Sequence, residues 1–325
     1  MAIKEPVRDP QSVYRDAIVI DGLNASMLDV DYLKKMQEAG VTAFNFTVAM
    51  MHNLSEAMKA IADVLSLLEK SGSACLVKSV RDIRECKRTG KVGLILGFQN
   101  VAPLEANLGN VRIFKEVGVG IIQLSYHFRN VACDGAKERV DGGLSLFGIE
   151  LVKEMNRQGV VIDLAHVGDR ASLEAIECSS DPVLMTHSNC YALAPTFQNK
   201  KDEIIRAMAA KGGVIGITGF PRLLMKDDPT LEDMLDHIDH VAELVGPEHI
   251  GIGSDFAEGW ADDPARRKTL LEIDGTIYTW PRGFGGVHEF SNIADGLASR
   301  GYSDEEIKGI LGGNFLRVFQ TVWKE

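Results

Sequence analysis

The sequence predicts a (β/α)8 TIM barrel, and three observations carry that reading. Short apolar runs rich in β-branched residues alternate with helical segments, the pattern of parallel strands joined by right-handed crossovers. The strand–helix units number eight, which closes such a sheet on itself. Three of the runs also end in a side chain able to bind metal or move a proton: Val160-Val-Ile-Asp-Leu-Ala-His166, Pro182-Val-Leu-Met-Thr-His187 and His249-Ile-Gly-Ile-Gly-Ser-Asp255. Strand carboxyl ends face the active-site mouth of a barrel. Two imidazoles and a carboxylate gathered there suit zinc or a similar divalent ion.

The elements follow in order. Strand one is Ala17-Ile-Val-Ile-Asp21, with a loop over 22–26. A helix over Asp31 to Ala39 stops at Gly40, and strand two covers Val41 to Val48. Leu54 to Lys70 has apolar residues at helical spacing. Ala74 to Val77 is a short extra strand outside the count of eight, and Val80 to Arg88 is a charged helix. Strand three, Val92 to Gly97, opens on Phe98-Gln99-Asn100. A helix over Val111 to Glu116 leads to strand four, Gly120 to Tyr126, and Leu144 to Arg157 is helical. Strands five and six are the two histidine runs. The helix Lys201 to Ala210, strand seven (Gly213 to Thr218), the helix Leu231 to Val245 and strand eight (His249 to Gly253) complete the ring.

Residues 255–286 break the rhythm with Trp260, Pro264, Trp280 and Pro281. A long loop at the mouth reads as a substrate lid. Phe290 to Ser299 and Ser303 to Trp323 are closing helices, the second opened by the capping box Ser303-Asp-Glu-Glu306. One domain over residues 1–325 is expected, since barrels commonly run this long as one unit.

Composition narrows the partners. The net charge of −11 argues against nucleic acid. No apolar run approaches the roughly 20 residues that span a bilayer, and the charged start Met1-Ala-Ile-Lys-Glu-Pro6 has no apolar signal core. The five cysteines, Cys75, Cys86, Cys133, Cys178 and Cys190, are odd in number and form no C-x-x-C pair. That argues against a disulfide framework and fits a reducing, cytoplasmic setting. A homo-oligomer is compatible with the sequence. Further candidates at the mouth are Tyr126, Arg129 and Asn130 after strand four, with Arg129 able to grip an anion, and His288 after the lid glycines. His237 and His240 lie on an outer helix, where packing or surface roles are expected.

With these motifs placed, the chain resembles the renal or membrane dipeptidase family of the amidohydrolase superfamily. The carrying segments are Asp141-Gly-Gly-Leu-Ser-Leu-Phe-Gly148, Ile162-Asp-Leu-Ala-His166-Val-Gly, Met185-Thr-His187-Ser, Gly251-Ile-Gly-Ser-Asp255-Phe and Leu311-Gly-Gly-Asn314-Phe-Leu-Arg317. The resemblance implies hydrolysis of dipeptides at two zinc ions, with His166 and His187 as ligands of one. Asp255 would be the residue that handles the proton. It also locates the departures. Leu23-Asn24-Ala25 stands where the family has a His-x-Asp ligand pair, Gln99 where it has a bridging glutamate, and Gln198 where it has a carboxylate-binding arginine. Tyr126 falls at a histidine position, with His127 beside it. The expectation is therefore a dipeptidase-like hydrolase of a dipeptide or small amide. It would hold one zinc ion, a weakly bound one or none, and use Gln99, Tyr126, Arg129, Asn130, Gln198 and His288 around the substrate. The alternatives are a hydrolase or lyase of another small metabolite with a degraded metal centre, or an inactive barrel used for binding.

Overall fold

The computed structural model describes residues 9–274 and 278–324. The amino-terminal reading over Met1 to Pro6 and lid residues 275–277 lie outside them.

Eight parallel strands close the barrel: β1 (Ile20–Asn24), β2 (Ala43–Ala49), β4 (Val92–Phe98), β5 (Val119–Gln123), β6 (Val161–Asp163), β7 (Leu184–Met185), β8 (Val214–Ile217) and β9 (Ile250–Ile252). Around the ring the order is β2-β1-β9-β8-β7-β6-β5-β4, and β2 pairs with β4 to close it. The extra strand read at Ala74 is β3 (Ala74–Leu76), which pairs in parallel with the start of β4. All residues of β4 and β5 are buried, as expected of strands covered on both faces.

Inside the barrel, Ile20, Ala43, Ile95, Ile121, Val161, Leu184 and Val214 meet Phe315, Phe319 and Trp323 from the carboxyl-terminal helix. Those rings fill the barrel from one end, with Phe319 stacked on Trp323 at 4.3 Å. The predicted helix from Ser303 is built as three pieces. Asp304–Lys308 carries the expected Ser303/Glu306 capping box, a π-helical turn spans Gly309–Gly313, and Asn314–Val322 follows. The interruption falls where the chain presses onto β1. A Cβ on Gly312 would lie 2.7 Å from the Ile20 nitrogen, so only glycine lets the two backbones approach.

Strands β6 and β7 end earlier than their apolar runs. The Asp163 carboxylate accepts the Thr186 amide at 2.9 Å, so a side chain takes the donor that a longer ladder would use. The histidines therefore stand just beyond the strands. The described part of 255–286 is also more structured than the predicted loop. It contains the helix Pro264–Asp274, with Pro264 in the first turn, where proline starts a helix as readily as it breaks one. Trp280 returns across the mouth to pack on Phe256 at 5.2 Å and Phe220 at 5.7 Å.

All five cysteines are free, and the Cys75 and Cys86 sulfurs meet at 2.8 Å. Among the described residues, no helix is long and apolar enough to cross a membrane.

Candidate active site

His166 and His187 come together as the strand-end argument requires. Their Nε2 atoms are 2.8 Å apart. The contact is one link in a chain of buried groups. The Thr186 hydroxyl donates to Asp163 at 2.7 Å and lies 2.8 Å from His187 Nδ1. On the other side, His166 Nδ1 is 3.0 Å from His127 Nδ1. In the sequence His127 is marked only as the neighbour of Tyr126.

The carboxylate end sets the tautomers along this chain. Asp163 can only accept while ionised. Thr186 gives it the hydroxyl proton and so accepts the Nδ1 proton of His187. His187 Nε2 is then bare and accepts from His166 Nε2–H. His166 Nδ1 in turn accepts from His127 Nδ1–H, and the lone pair at the end of the chain is His127 Nε2. This assignment follows from donor and acceptor matching.

Electrostatics keep the three rings neutral. Burial, reinforced by Arg222 and Lys137, pushes the affinity of His127 for a proton down to about 2. Burial with Lys200 and Arg222 takes His187 down to about 3, and His166 is lowered well below its ordinary value. Neutral imidazoles of this kind are weak bases but remain good hydrogen-bond partners.

The other predicted residues divide. Tyr126 packs its ring 4.5 Å from both His127 and His166. Gln198 is fully buried, donates to the His187 carbonyl at 3.3 Å and accepts from Arg222 Nη2 at 3.1 Å. Gln99 donates to the Thr47 hydroxyl at 3.0 Å. Asp255 follows β9 with a left-handed backbone, φ 57°, and its amide donates to Leu23 O. His127 is also left-handed, at φ 63°. Such conformations are costly for residues other than glycine and concentrate at functional sites.

Three further candidates have surroundings of their own. Arg129 does not offer its guanidinium to the mouth alone, because Nε and Nη2 both engage Asp134, which holds Arg129 firmly protonated. Asn130 is a loop brace: its amide nitrogen donates to Asn100 Oδ1 and Leu124 O, and its oxygen accepts the Ala132 and Cys133 amides. His288 is exposed on the lid. By contrast, His237 packs as expected, accepting the Cys190 amide at 3.1 Å.

Sequence reasoning missed Arg222. It follows β8 in Gly219-Phe220-Pro221-Arg222, and its guanidinium lies 4.6 Å from the Phe197 ring centre and 5.7 Å from that of Phe220. The strand-end rule that found the histidines applies to it equally. Beyond Phe220 opens a cavity of about 860 Å³, bordered by Tyr32, Glu258, Tyr278 and Trp280.

The model of the membrane dipeptidase family (Peptidase family M19) matches residues 8–324. The chain belongs to that family. It is 31% identical over 277 residues to the dipeptidase verJ of Clonostachys rogersoniana, covering 84% of this chain and 67% of that protein. It is also 31% identical to the dipeptidase tcpJ of Claviceps purpurea, covering 74% of this chain but only 53% of the relative. Among solved structures, an amidohydrolase from Pseudomonas aeruginosa superposes with a TM-score of 0.94 at 35% identity, over 98% of this chain and 100% of that one. A metallopeptidase from Rhodobacter sphaeroides, bound to a phosphinate mimic of L-Ala-D-Ala, shares the fold with a TM-score of 0.81 at 20% identity, over 95% of this chain and 100% of that one.

Membership raises the question of zinc, and the donors present do not fit a two-zinc centre. Leu23 is buried and cannot ligate, Ala25 has no donor, and the Asn24 amide is spent on Asp21 and the Tyr32 hydroxyl. Gln99 offers a neutral amide in place of a bridging carboxylate. A one-zinc catalytic site takes three protein ligands. Here two imidazoles face each other at hydrogen-bonding distance, and among the described residues no three His, Cys, Asp or Glu side chains are placed to hold an ion.

Proposed function

We propose that the chain hydrolyses dipeptides or closely related small amides at the mouth of the barrel, with Asp255 carrying the proton. Family membership and the dipeptidase names of its relatives support the reaction class. The observation that carries the site is the buried chain Asp163–Thr186–His187–His166–His127, which ends at the mouth beside Arg222. The neutral rings are too weakly basic to deprotonate water. Their role is positional, with His127 Nε2 accepting a hydrogen bond from the attacking water or the substrate N–H. Asp255 then takes the water proton as the oxygen adds to the carbonyl, and returns it to the leaving nitrogen as the C–N bond breaks. Tyr126 walls the site against solvent.

The altered donor set at Leu23, Ala25 and Gln99 favours one other reading, a hydrolase or lyase of a different small metabolite. A panel of dipeptides, dipeptide amides and N-acyl amino acids, assayed with and without a chelator, tests the choice. Release of free amine from at least one dipeptide or small amide is expected, and it should survive chelation. No turnover of any amide, with or without added zinc, would hand the site to the second reading.

A further inference from the structure

A second reactive cluster lies at the strand starts, the opposite end of the barrel from the histidine chain. Cys75 is the middle residue of β3 and pairs with Gly93 near the start of β4. Cys86 lies in the last turn of the helix that follows, Val80–Thr89. That helix lays Val80, Ile83 and Cys86 on the cluster that holds Phe315, Phe319 and Trp323. Gly93 lets the helix come this close, since a Cβ there would lie 3.2 Å from the Cys86 sulfur. The Cys75 and Cys86 sulfurs are then in contact at 2.8 Å, so a bond between them asks for side-chain motion only.

The two thiols have different surroundings. Cys86 is buried, at 1% exposure, while Cys75 is half-buried. The hydrogen bond to Cys75 and then burial push the Cys86 thiol up. The same bond, helped by Lys91, holds the Cys75 thiol down against the cost of its own partial burial. Cys86 therefore keeps its proton and donates it, and Cys75 is the side that carries thiolate, the nucleophilic form. An accessible, acidified thiol touching a protonated one is the arrangement that oxidation favours. Cys133 and Cys190 do not compete, because burial pushes both of those thiols up.

We infer that Cys75 and Cys86 form a reversible oxidation site that takes hydroperoxides and closes to a disulfide. This goes beyond amide hydrolysis and is independent of it. The Cys75 thiolate attacks the peroxide: an S–O bond forms, the O–O bond breaks, and hydroxide leaves and takes up a proton as water. The Cys86 sulfur then attacks the sulfenyl sulfur. The S–S bond forms, the S–O bond breaks, and the Cys86 proton leaves with the oxygen as a second water. Two electrons pass from the sulfurs to the peroxide. A dithiol reopens the pair by exchange, so a reducing setting keeps it open between oxidising episodes. The closed bond ties β3 to the helix beside the plugged end of the barrel and restricts the unfolded chain.

Hydrogen peroxide added to the whole folded chain tests the site. Thiols are counted by maleimide after a denaturing quench, and the bridge is located by non-reducing peptide mass mapping. Two of the five thiols should be lost. The peptides carrying Cys75 and Cys86 should appear joined and lighter by the two hydrogens removed, and dithiothreitol should reverse both changes. The unfolding midpoint of the oxidised chain should rise by a few degrees. Cys86→Ser should stop the bridge and leave at Cys75 a sulfenic acid that a cyclic diketone traps. Cys75→Ser should leave Cys86 unoxidised. Cys178→Ser, at the other half-buried cysteine, should leave the bridge intact. Both thiols still labelled after peroxide, oxidation of Cys178 ahead of Cys75, a bridge to any other cysteine, or a bridge that lowers the unfolding midpoint would overturn the inference.

Discussion

Two corners of the barrel mouth are built alike and carry different chemistry. At the β6/β7 corner, buried Asp163 accepts both the amide and the hydroxyl of Thr186 on the next strand, at 2.9 and 2.7 Å. At the β1/β9 corner, buried Asp21 accepts the amide and hydroxyl of Ser254 in the same way, at 2.7 and 2.6 Å. Burial pushes both carboxyl groups up to about 6 despite these donors. Above the first strut stand His187, His166 and His127. Above the second stand Leu23 and Asn24, with Asp255 following Ser254. The same carboxylate–hydroxyl strut thus occurs at two corners, one beneath three histidines and one beneath Leu23 and Asn24. The side chains it positions are what distinguish this chain.

The largest expected effect would break the comparison at its chemical end. Asp255→Asn should lower kcat on whichever amide is turned over by about 10²–10⁴-fold, the usual contribution of a positioned acid–base group. Undiminished turnover would remove Asp255 and leave the β1/β9 corner without a catalytic part.

The struts themselves come next. Asp163→Ala and Asp21→Ala each strand a buried amide and hydroxyl, at about 1–3 kcal/mol per unsatisfied group. Urea unfolding should show comparable losses for the two. Only Asp163→Ala should also disturb the imidazole N–H resonances of His127, His166 and His187. A large loss for one strut and none for the other would show that the corners are not equivalent.

The smallest effect sharpens the comparison through pH. Asp21 binds its proton more tightly when folded, at about 6 against 3.8 for the ordinary group. Its contribution to stability is therefore greatest below pH 3.8 and is lost as pH rises through about 6. Relative to Asp21→Asn, the native chain should lose on the order of 2–3 kcal/mol between pH 4 and 7. A difference that stays flat over that range would mean the four donors on Asp21 outweigh its burial.

The barrel was legible because its signal is repeated. Each apolar run announces a strand, and eight in succession leave little choice of fold. His166 and His187 were legible for the same reason, as polar residues placed where strands end. Other features depend on contacts between distant segments. His127 reads as a neighbour of Tyr126 until the left-handed turn brings its ring onto His166. Arg222 follows a strand as the histidines do, but its contacts with Gln198 and Phe197 join segments distant in sequence. The partners of Asn130 and Arg129, Asn100 and Asp134, carry no sequence mark of pairing. The helix at Pro264 was hidden by a residue that breaks helices in their interior and begins them at the first turn.

In the proposed function the mouth is organised by a hydrogen-bonded histidine chain on one strut rather than by a pair of metal ions across both. Elemental analysis of protein purified without chelator tests this most directly, with the variant carrying Leu23→His, Ala25→Asp and Gln99→Glu measured alongside. The native chain should hold at most one divalent ion, and the variant, which restores ligands to the β1/β9 corner and a charged bridge, should move toward two. Two tightly held ions in the native chain, or one that His166→Ala removes, would contradict the hydrogen-bonded arrangement.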